Sequence, residues 1–217
     1  MAARSPSQND IEAGRKLFAG PIEFRMGVAK VEQLPEAFAV EVAFGGRSNS
    51  GKSSLINALA GRRQLARASN RPGRTRELNY FIAGNGRLAI VDLPGYGHAE
   101  AGKSAVAAWQ RLIRDYLQGR AGLRRVFILV DARHGLKPVD IETLKLLDEA
   151  AVSYQIVLTK ADKCTRGDLD RVCSATRRAV AKRPAAHPEL IVTSSKRGDG
   201  IADLRAEIAS MVPDAQQ

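Results

Sequence analysis

The stretch AFAVEVAFGGRSNSGKSSLINALA, residues 37–60, decides the fold. Its first part is an apolar run of strand type, and its last part carries apolar residues at helical spacing. Between them, residues 45–54 hold three glycines and four serines and nothing large enough to fill a core. One reading of such a run is a flexible linker; the other is a backbone cradle for a phosphate chain. GRSNSGKS fits G-x-x-x-x-G-K-[ST] at Gly46, Gly51, Lys52 and Ser53, and a linker requires neither the lysine nor the flanking strand and helix. In a cradle the amides of Arg47, Ser48, Asn49, Ser50, Gly51 and Ser54 turn toward phosphate oxygens, helped by the positive end of the helix that starts near Lys52. Lys52 adds a full charge at the β and γ phosphates, where it stabilises charge during transfer, and the Ser53 hydroxyl ligates Mg²⁺.

Working outward, short apolar runs alternate with helical patterns. Residues 38–44, 88–93, 126–131, 154–159 and 190–195 read as strands, and VFILV lacks polar alternation, as a central strand buried on both faces does. Helices are expected at 52–60, at 104–118 with Trp109, Leu112, Ile113, Tyr116 and Leu117 on one face, and at 138–150, 166–183 and 200–211. Residues 77–92, ELNYFIAGNGRLAIVD, are two strands joined through Gly84-Asn85-Gly86, a tight-hairpin signal. The expected fold is therefore α/β: a mostly parallel six-stranded sheet with one antiparallel strand, helices on both faces, arranged as in Ras-like P-loop GTPase domains. Residues 1–20 read as a polar extension, 21–212 as a single domain and 213–217 as a tail.

Further motifs follow the strands. TKAD, residues 159–162, comprises Thr159, Lys160, Ala161 and Asp162. A carboxylate at Asp162 accepts from both N1–H and the exocyclic amine of guanine, a donor pair that adenine lacks on that edge, and Lys160 lays its aliphatic stem along the purine. DLPG comprises Asp92, Leu93, Pro94 and Gly95. Asp92 would hold Mg²⁺ through water and the Gly95 N–H would reach a γ-phosphate oxygen, contacts complete only in the triphosphate state, which makes the segment a switch. PGRTRE supplies Gly73, Arg74 and Thr75, with the Thr75 hydroxyl completing the Mg²⁺ shell. Thr193, Ser194 and Ser195 follow the last strand, where backbone amides would meet guanine O6.

The net charge of +11 favours polyanionic partners, nucleic acid or an anionic membrane surface. Arg62, Arg63, Arg67, Arg71, Arg74 and Arg76 cluster before DLPG, and Arg171, Arg177, Arg178, Lys182 and Arg183 on helix 166–183. A solvated face is the default for any one of them; around a nucleotide switch their sum suits docking on ribosomal RNA. No run reaches the length of a membrane span, and the N-terminus lacks a signal-peptide core. Two cysteines build no disulfide framework: Cys173 falls on an apolar helical stripe, and Cys164 shows no metal-ligand spacing. A reducing cytoplasm is the expected location.

GRSNSGKSSLINAL, RPGRTRELNYF, VDLPGYGHA, TKADK and TSSKRGDGI together resemble the EngB family (also called YihA or YsxC) of bacterial ribosome-assembly GTPases, in the Era/TrmE-like branch of P-loop GTPases. The resemblance covers about residues 20–212. It implies a small, single-domain, monomeric GTPase that helps build the large ribosomal subunit and is associated with cell division and septation. Two departures from the wider GTPase pattern matter. Thr159 replaces the asparagine that usually opens the base motif, which is expected to weaken the tie between base loop and phosphate loop. Tyr96 stands where relatives of Ras carry a water-positioning glutamine, so hydrolysis is expected to be slow and stimulated by a partner. Asn49 occupies the position of a K⁺ ligand in potassium-activated GTPases; either it holds K⁺ or it shapes the loop. Arg74, Arg76 and His98 are assigned no catalytic role. The rival readings are a P-loop kinase or ATPase, which the hairpin and TKAD disfavour, and a nucleotide-dependent binding module that does not hydrolyse.

Overall fold

The computed structural model describes residues 6–62, 64–66, 77–96, 111 and 113–213. Strand β1 (Glu23–Val28) and strand β2 (Glu41–Gly46) lead to helix α2 (Lys52–Ala60); helix α1 (Gln8–Leu17) precedes them. The hairpin forms as expected, β3 (Leu78–Ala83) turning through residues 84–86 into β4 (Leu88–Asp92). Gly84 and Gly86 (φ 58° and 91°) and Asn85 (φ 55°) take the left-handed conformations that this turn requires. Helical residues 113–119 form the described part of α3. Then come β5 (Leu123–Asp131), α4 (Pro138–Glu149), β6 (Tyr154–Thr159), α5 (Arg166–Val180), β7 (Ile191–Val192) and α6 (Ile201–Ala209).

The strands make one sheet in the order β1-β3-β4-β2-β5-β6-β7. β2 pairs in parallel with β4 and β5, as do β5 with β6 and β6 with β7, while β3 runs antiparallel to β4 and β1. The α/β class and the single reversed strand are as expected. The seventh strand is β1, whose sequence EFRMGV is mostly exposed at the sheet edge and carries no buried alternation for a pattern reading to detect. β7 is only two residues long, shorter than the run at 190–195 suggested.

The run 126–130 of β5 is apolar throughout because both of its faces are covered. Val126, Ile128 and Val130 face a core shared with Tyr116, Leu144, Leu147 and Cys173. Phe127 and Leu129 face a second core with Phe44, Leu55, Leu59, Leu204 and Ile208. Phe44 stacks on Phe127 with centroids 5.2 Å apart. Cys173 is buried, as its place on the α5 stripe predicts.

The segment read as a polar extension holds α1, and α1 joins the second core. The Ser7 hydroxyl accepts from the Asp10 amide at 3.2 Å and the Asp10 carboxylate accepts from the Ser7 amide at 2.8 Å, a capping box. Leu17 and Phe18 are buried. A Cβ added at Gly14 would stand 2.7 Å from the Ala206 nitrogen, so the backbones of α1 and α6 touch at the glycine. The polarity of α1 belongs to its outer face.

Register sets the site. Phe44 lies opposite Asp92, Gly46 opposite Leu129 and Asp131 opposite Thr159, so the ends of four parallel strands come together at one edge. β2 is flanked by β4, reached through the hairpin, and by β5, reached by the next crossover. Ligands of open α/β sheets bind at the carboxyl end of such a strand.

Candidate functional site at the carboxyl edge of the sheet

Beyond Gly46 the chain arches over residues 47–50 and enters α2. The Ser50 amide donates to the Arg47 carbonyl at 3.0 Å. Asn49, exposed at the crest, has φ 64°, and Gly51, the residue before α2, has φ 95°. A Cβ on Gly46 would meet the Ser50 Oγ at 2.6 Å and the Leu129 carbonyl at 3.0 Å, so only glycine lets the loop lie this close to β5. α2 starts without a side-chain cap. The amides of Lys52, Ser53 and Ser54 have no partner inside the helix, and with the helix dipole they give this end positive potential.

Lys52 Nζ forms an ion pair with the Asp92 carboxylate. Burial pushes the Asp92 carboxyl up, and the adjacent ammonium opposes that. The DLPG segment continues the β4 direction along the arch. The Tyr96 amide donates to the Gly46 carbonyl at 3.3 Å, and the Ser48 amide donates to the Tyr96 carbonyl at 3.2 Å. Gly95 presses on the arch: a Cβ there would lie 3.0 Å from the Ser48 Oγ. Gly46, Arg47, Ser48, Asn49, Ser50, Gly51, Lys52, Ser53, Ser54, Asp92, Leu93, Pro94 and Gly95 are thus brought together.

The base motif is joined to the same arch. The Thr159 hydroxyl donates to the Ser50 carbonyl at 2.5 Å, so threonine supplies the tie that its replacement of asparagine was expected to weaken. Lys160 (φ 58°) directs its ammonium to the Asn49 carbonyl and, at 2.9 Å, to the Asp131 carboxylate. Asp131 also accepts from the Arg133 backbone at 3.0 Å and from its guanidinium at 3.0 and 2.7 Å. Burial acts to raise the Asp131 carboxyl, but these hydrogen bonds prevail and hold it well below the usual carboxylate range. Asp162 accepts from the Ser194 hydroxyl at 2.7 Å, which lowers its carboxyl.

The loop 193–195 contributes less backbone than expected. The Thr193 amide donates to Leu158 at 2.7 Å and the Ser194 amide to Asp199 at 2.9 Å, both within the fold, so Ser195 carries the remaining amide of the three. The Ala161 amide donates to the Thr193 carbonyl at 3.1 Å, locking the two base-side loops together.

Tyr96, at the usual glutamine position, is turned inward and 4 % exposed. Its hydroxyl donates to Asp140 at 2.9 Å, and burial beside that carboxylate keeps the phenol protonated far above its ordinary range. Gly73, Arg74 and Thr75, with Arg63, Arg67, Arg71, Arg76, His98, Trp109 and Leu112, lie outside the described residues. Arg177 and Arg178 are exposed on α5, which ends at Val180 rather than at 183, and Lys182 is exposed just beyond it. Arg171 pairs locally with Asp168, and Arg183 pairs at 2.7 Å with Asp148, so these two are partly committed to the fold. Sequence reading missed Asp131 and Asp140: the first looks like a polar strand end and the second like a helix-capping acid.

The model of the 50S ribosome-binding GTPase family matches residues 41–160. A Ruegeria pomeroyi protein named as a probable GTP-binding protein EngB is 57 % identical over 209 residues, covering 96 % of each chain. A protein of the same name from Caulobacter vibrioides is 53 % identical over 208 residues, 96 % of this chain and 90 % of its own. Among solved structures, one described as a probable GTP-binding protein engB superposes with a TM-score of 0.62 at 25 % identity, covering 79 % of this chain and 98 % of that one. Aquifex aeolicus Era bound to GDP and aluminium fluoride shares the fold at a TM-score of 0.62 and 18 % identity, over 81 % of this chain and 57 % of its own. No helix among the described residues is long and apolar enough to cross a membrane. The family match over residues 41–160 and relatives more than half identical along nearly the whole length show that the chain belongs to the EngB family of GTP-binding proteins and is a P-loop GTPase.

Proposed function

We propose that this protein is a monomeric cytoplasmic switch in assembly of the large ribosomal subunit, binding GTP and GDP and hydrolysing GTP slowly with Mg²⁺. The family match to 50S ribosome-binding GTPases is what supports the ribosomal part most strongly. In this reading Lys52 and the loop amides neutralise the β and γ phosphates, and Asp162 selects guanine. The Gly95 amide senses the γ-phosphate, together with Thr75 in the segment before β3.

The donors present suit Mg²⁺, which takes one or two protein oxygens and leaves the rest of its shell to phosphates and water. Ser53 would hold the ion directly, with Thr75, and Asp92 through water; when bound, the ion supplies positive charge at the γ-phosphate oxygens. Asn49, exposed at the crest of the arch, would hold K⁺ beside the phosphates, and faster turnover in K⁺ than in Na⁺ would follow. Because Tyr96 is engaged in the interior, water positioning falls to a partner, and intrinsic turnover is slow. The basic surface, including Arg177, Arg178 and Lys182, docks on rRNA. Normal division and septation depend on the protein through ribosome supply.

The test is co-sedimentation with separated ribosomal subunits, loaded with a non-hydrolysable GTP analogue or with GDP, at low and physiological salt. Large-subunit binding that requires the analogue and survives physiological salt is expected. Binding to both subunits in either nucleotide state, vanishing as salt rises, would overturn the ribosomal reading. Single-turnover hydrolysis with and without subunits, in K⁺ and in Na⁺, tests the remainder.

A further inference from the structure

We propose that Asp140, on the first turn of α4, is a positioning residue for GTP hydrolysis, holding Tyr96 and Arg47 so that DLPG and the phosphate arch keep a set separation. The inference rests on reading the protein as a GTPase and adds a residue that no motif contains.

Asp140 is fully buried, and all its bonds are accounted for by neighbours from three parts of the chain. Oδ1 accepts from the Tyr96 hydroxyl at 2.9 Å. Arg47 Nε approaches Oδ1 at 3.2 Å and Oδ2 at 3.1 Å, and Oδ2 also accepts from the Lys137 amide at 2.8 Å. Arg47 extends its other arm to the Gly135 carbonyl at 3.5 Å. A helix cap needs only the bond to Lys137. Two additional partners, 44 and 93 positions away in the chain, are more than capping requires, and a carboxylate is expensive to bury unless fully paired.

Those two partners belong to the two segments that the proposed function sets beside the γ-phosphate. Arg47 is the first residue of the arch. Tyr96 follows Gly95, and its backbone is hydrogen-bonded to Gly46 and Ser48. The side-chain bonds to Asp140 and the backbone bonds to the arch form one closed frame, and Gly95 sits inside it against Ser48. The Tyr96 ring also borders a cavity of about 20 Å³ with Leu93, Ile113, Thr143 and Leu147, which connects the frame to α3 and α4. The position that carries glutamine in Ras relatives is therefore a strut. Catalysis tolerates little error in such a frame: a displacement of about 1 Å lowers rates by about a hundredfold.

The experiment compares single-turnover GTP hydrolysis and GDP affinity in the full chain for wild type, Tyr96→Phe, Asp140→Asn and the double variant, with folding verified by thermal unfolding. Tyr96→Phe removes one hydroxyl and Asp140→Asn keeps the Lys137 cap while losing the charge that pairs Arg47. Each is expected to lower the hydrolysis rate about ten- to a hundredfold with GDP affinity nearly unchanged. In the double variant the losses are non-additive, since both act through one frame. A purely structural role would lower the melting temperature and leave the rate of folded protein unchanged, which overturns the proposal. Should Asp140→Asn fail to fold, Tyr96→Phe decides alone: an unaltered rate refutes the frame, and a lowered rate at intact GDP affinity upholds it. Wild type that does not hydrolyse GTP removes the GTPase reading and this proposal with it, whereas active wild type with equally active variants removes the proposal only.

Discussion

The Thr159 hydroxyl donates to the Ser50 carbonyl at 2.5 Å across a chain separation of 109 residues. Thr159 is buried, and Ser50 belongs to the arch, so this bond joins the loop proposed to read the base to the loop proposed to hold the phosphates. Thr159→Val keeps shape and removes the donor, leaving the Ser50 carbonyl short of a partner. Loss of one buried hydrogen bond of this kind costs about 1–2 kcal/mol, roughly a five- to thirtyfold rise in the GDP dissociation constant. Titration with a fluorescent GDP analogue measures it, with Thr159→Ser restoring most of the affinity. An unchanged constant in the valine variant would show that the loops are held together by other contacts.

Asp131 offers a pH test. Its folded carboxyl is held below the ordinary value of 3.8, so the stability it contributes is complete above about pH 4 and is lost as pH falls through the lower folded value. Asp131→Asn is expected to destabilise by about 1.5–3 kcal/mol at neutral pH, the range for hydrogen bonds to charged groups. The gap between wild type and variant should narrow steadily below pH 4 in urea titrations. Because Asp131 also holds the Lys160 ammonium, GDP should dissociate faster from the variant at pH 7. A stability gap that stays constant with pH would contradict the assigned ion pairs.

Lys52 and Asp92 answer different questions, although they form one ion pair. Lys52→Ala removes the phosphate charge and leaves Asp92 buried without its counter-ion, which pushes that carboxyl further up. GDP binding is expected to weaken by about a hundredfold or more, given a loss of about 3 kcal/mol for a charge-assisted contact. Asp92→Asn is expected to keep nucleotide binding while weakening its dependence on Mg²⁺, since Ser53 and Thr75 would still reach the ion. Removing the metal with a chelator should therefore weaken GTP-analogue binding in wild type far more than in Asp92→Asn. Equal sensitivity in the two proteins would take Asp92 out of the metal's shell.

Gly14 tests whether α1 is integral to the fold. A Cβ there would meet backbone atoms of Arg205 and Ala206 at 2.7 Å, and neither helix can yield without losing the burial of Leu17 and Phe18. Gly14→Ala is expected to cost about 1–3 kcal/mol in denaturant unfolding, the usual penalty of overpacking. GDP affinity of the folded variant should be unchanged, because α1 lies away from the arch. If stability is unaltered, the close approach of α1 and α6 is not maintained in solution.

Most of the architecture was legible in the chain itself. Helix α2 and strand β6 fall where their patterns place them, because amphipathic spacing and an unbroken apolar run are local properties. The reversal at residues 84–86 was equally plain, since left-handed backbone at consecutive positions calls for Gly-Asn-Gly. The arch, Asp92 and the base loop were readable for a similar reason: phosphate and guanine recognition use fixed spacings of glycine, lysine and carboxylate next to strand ends.

What escaped the sequence was relational. β1 is an exposed edge strand without apolar alternation, and α1 shows a polar composition while burying Leu17 and Phe18. The orientation of Tyr96 depended on a buried acceptor on α4. By itself the chain determined the strand and helix types, the order of the motifs and their assembly on one sheet edge, since periodicity and turn chemistry act over a few residues. Only the tertiary structure decided that Asp140 joins Tyr96 to Arg47, that Asp131 holds Lys160 and that Thr159 binds the arch. Those partners stand 29 to 109 positions apart, and a buried polar side chain takes whichever partner the completed packing brings within hydrogen-bond reach.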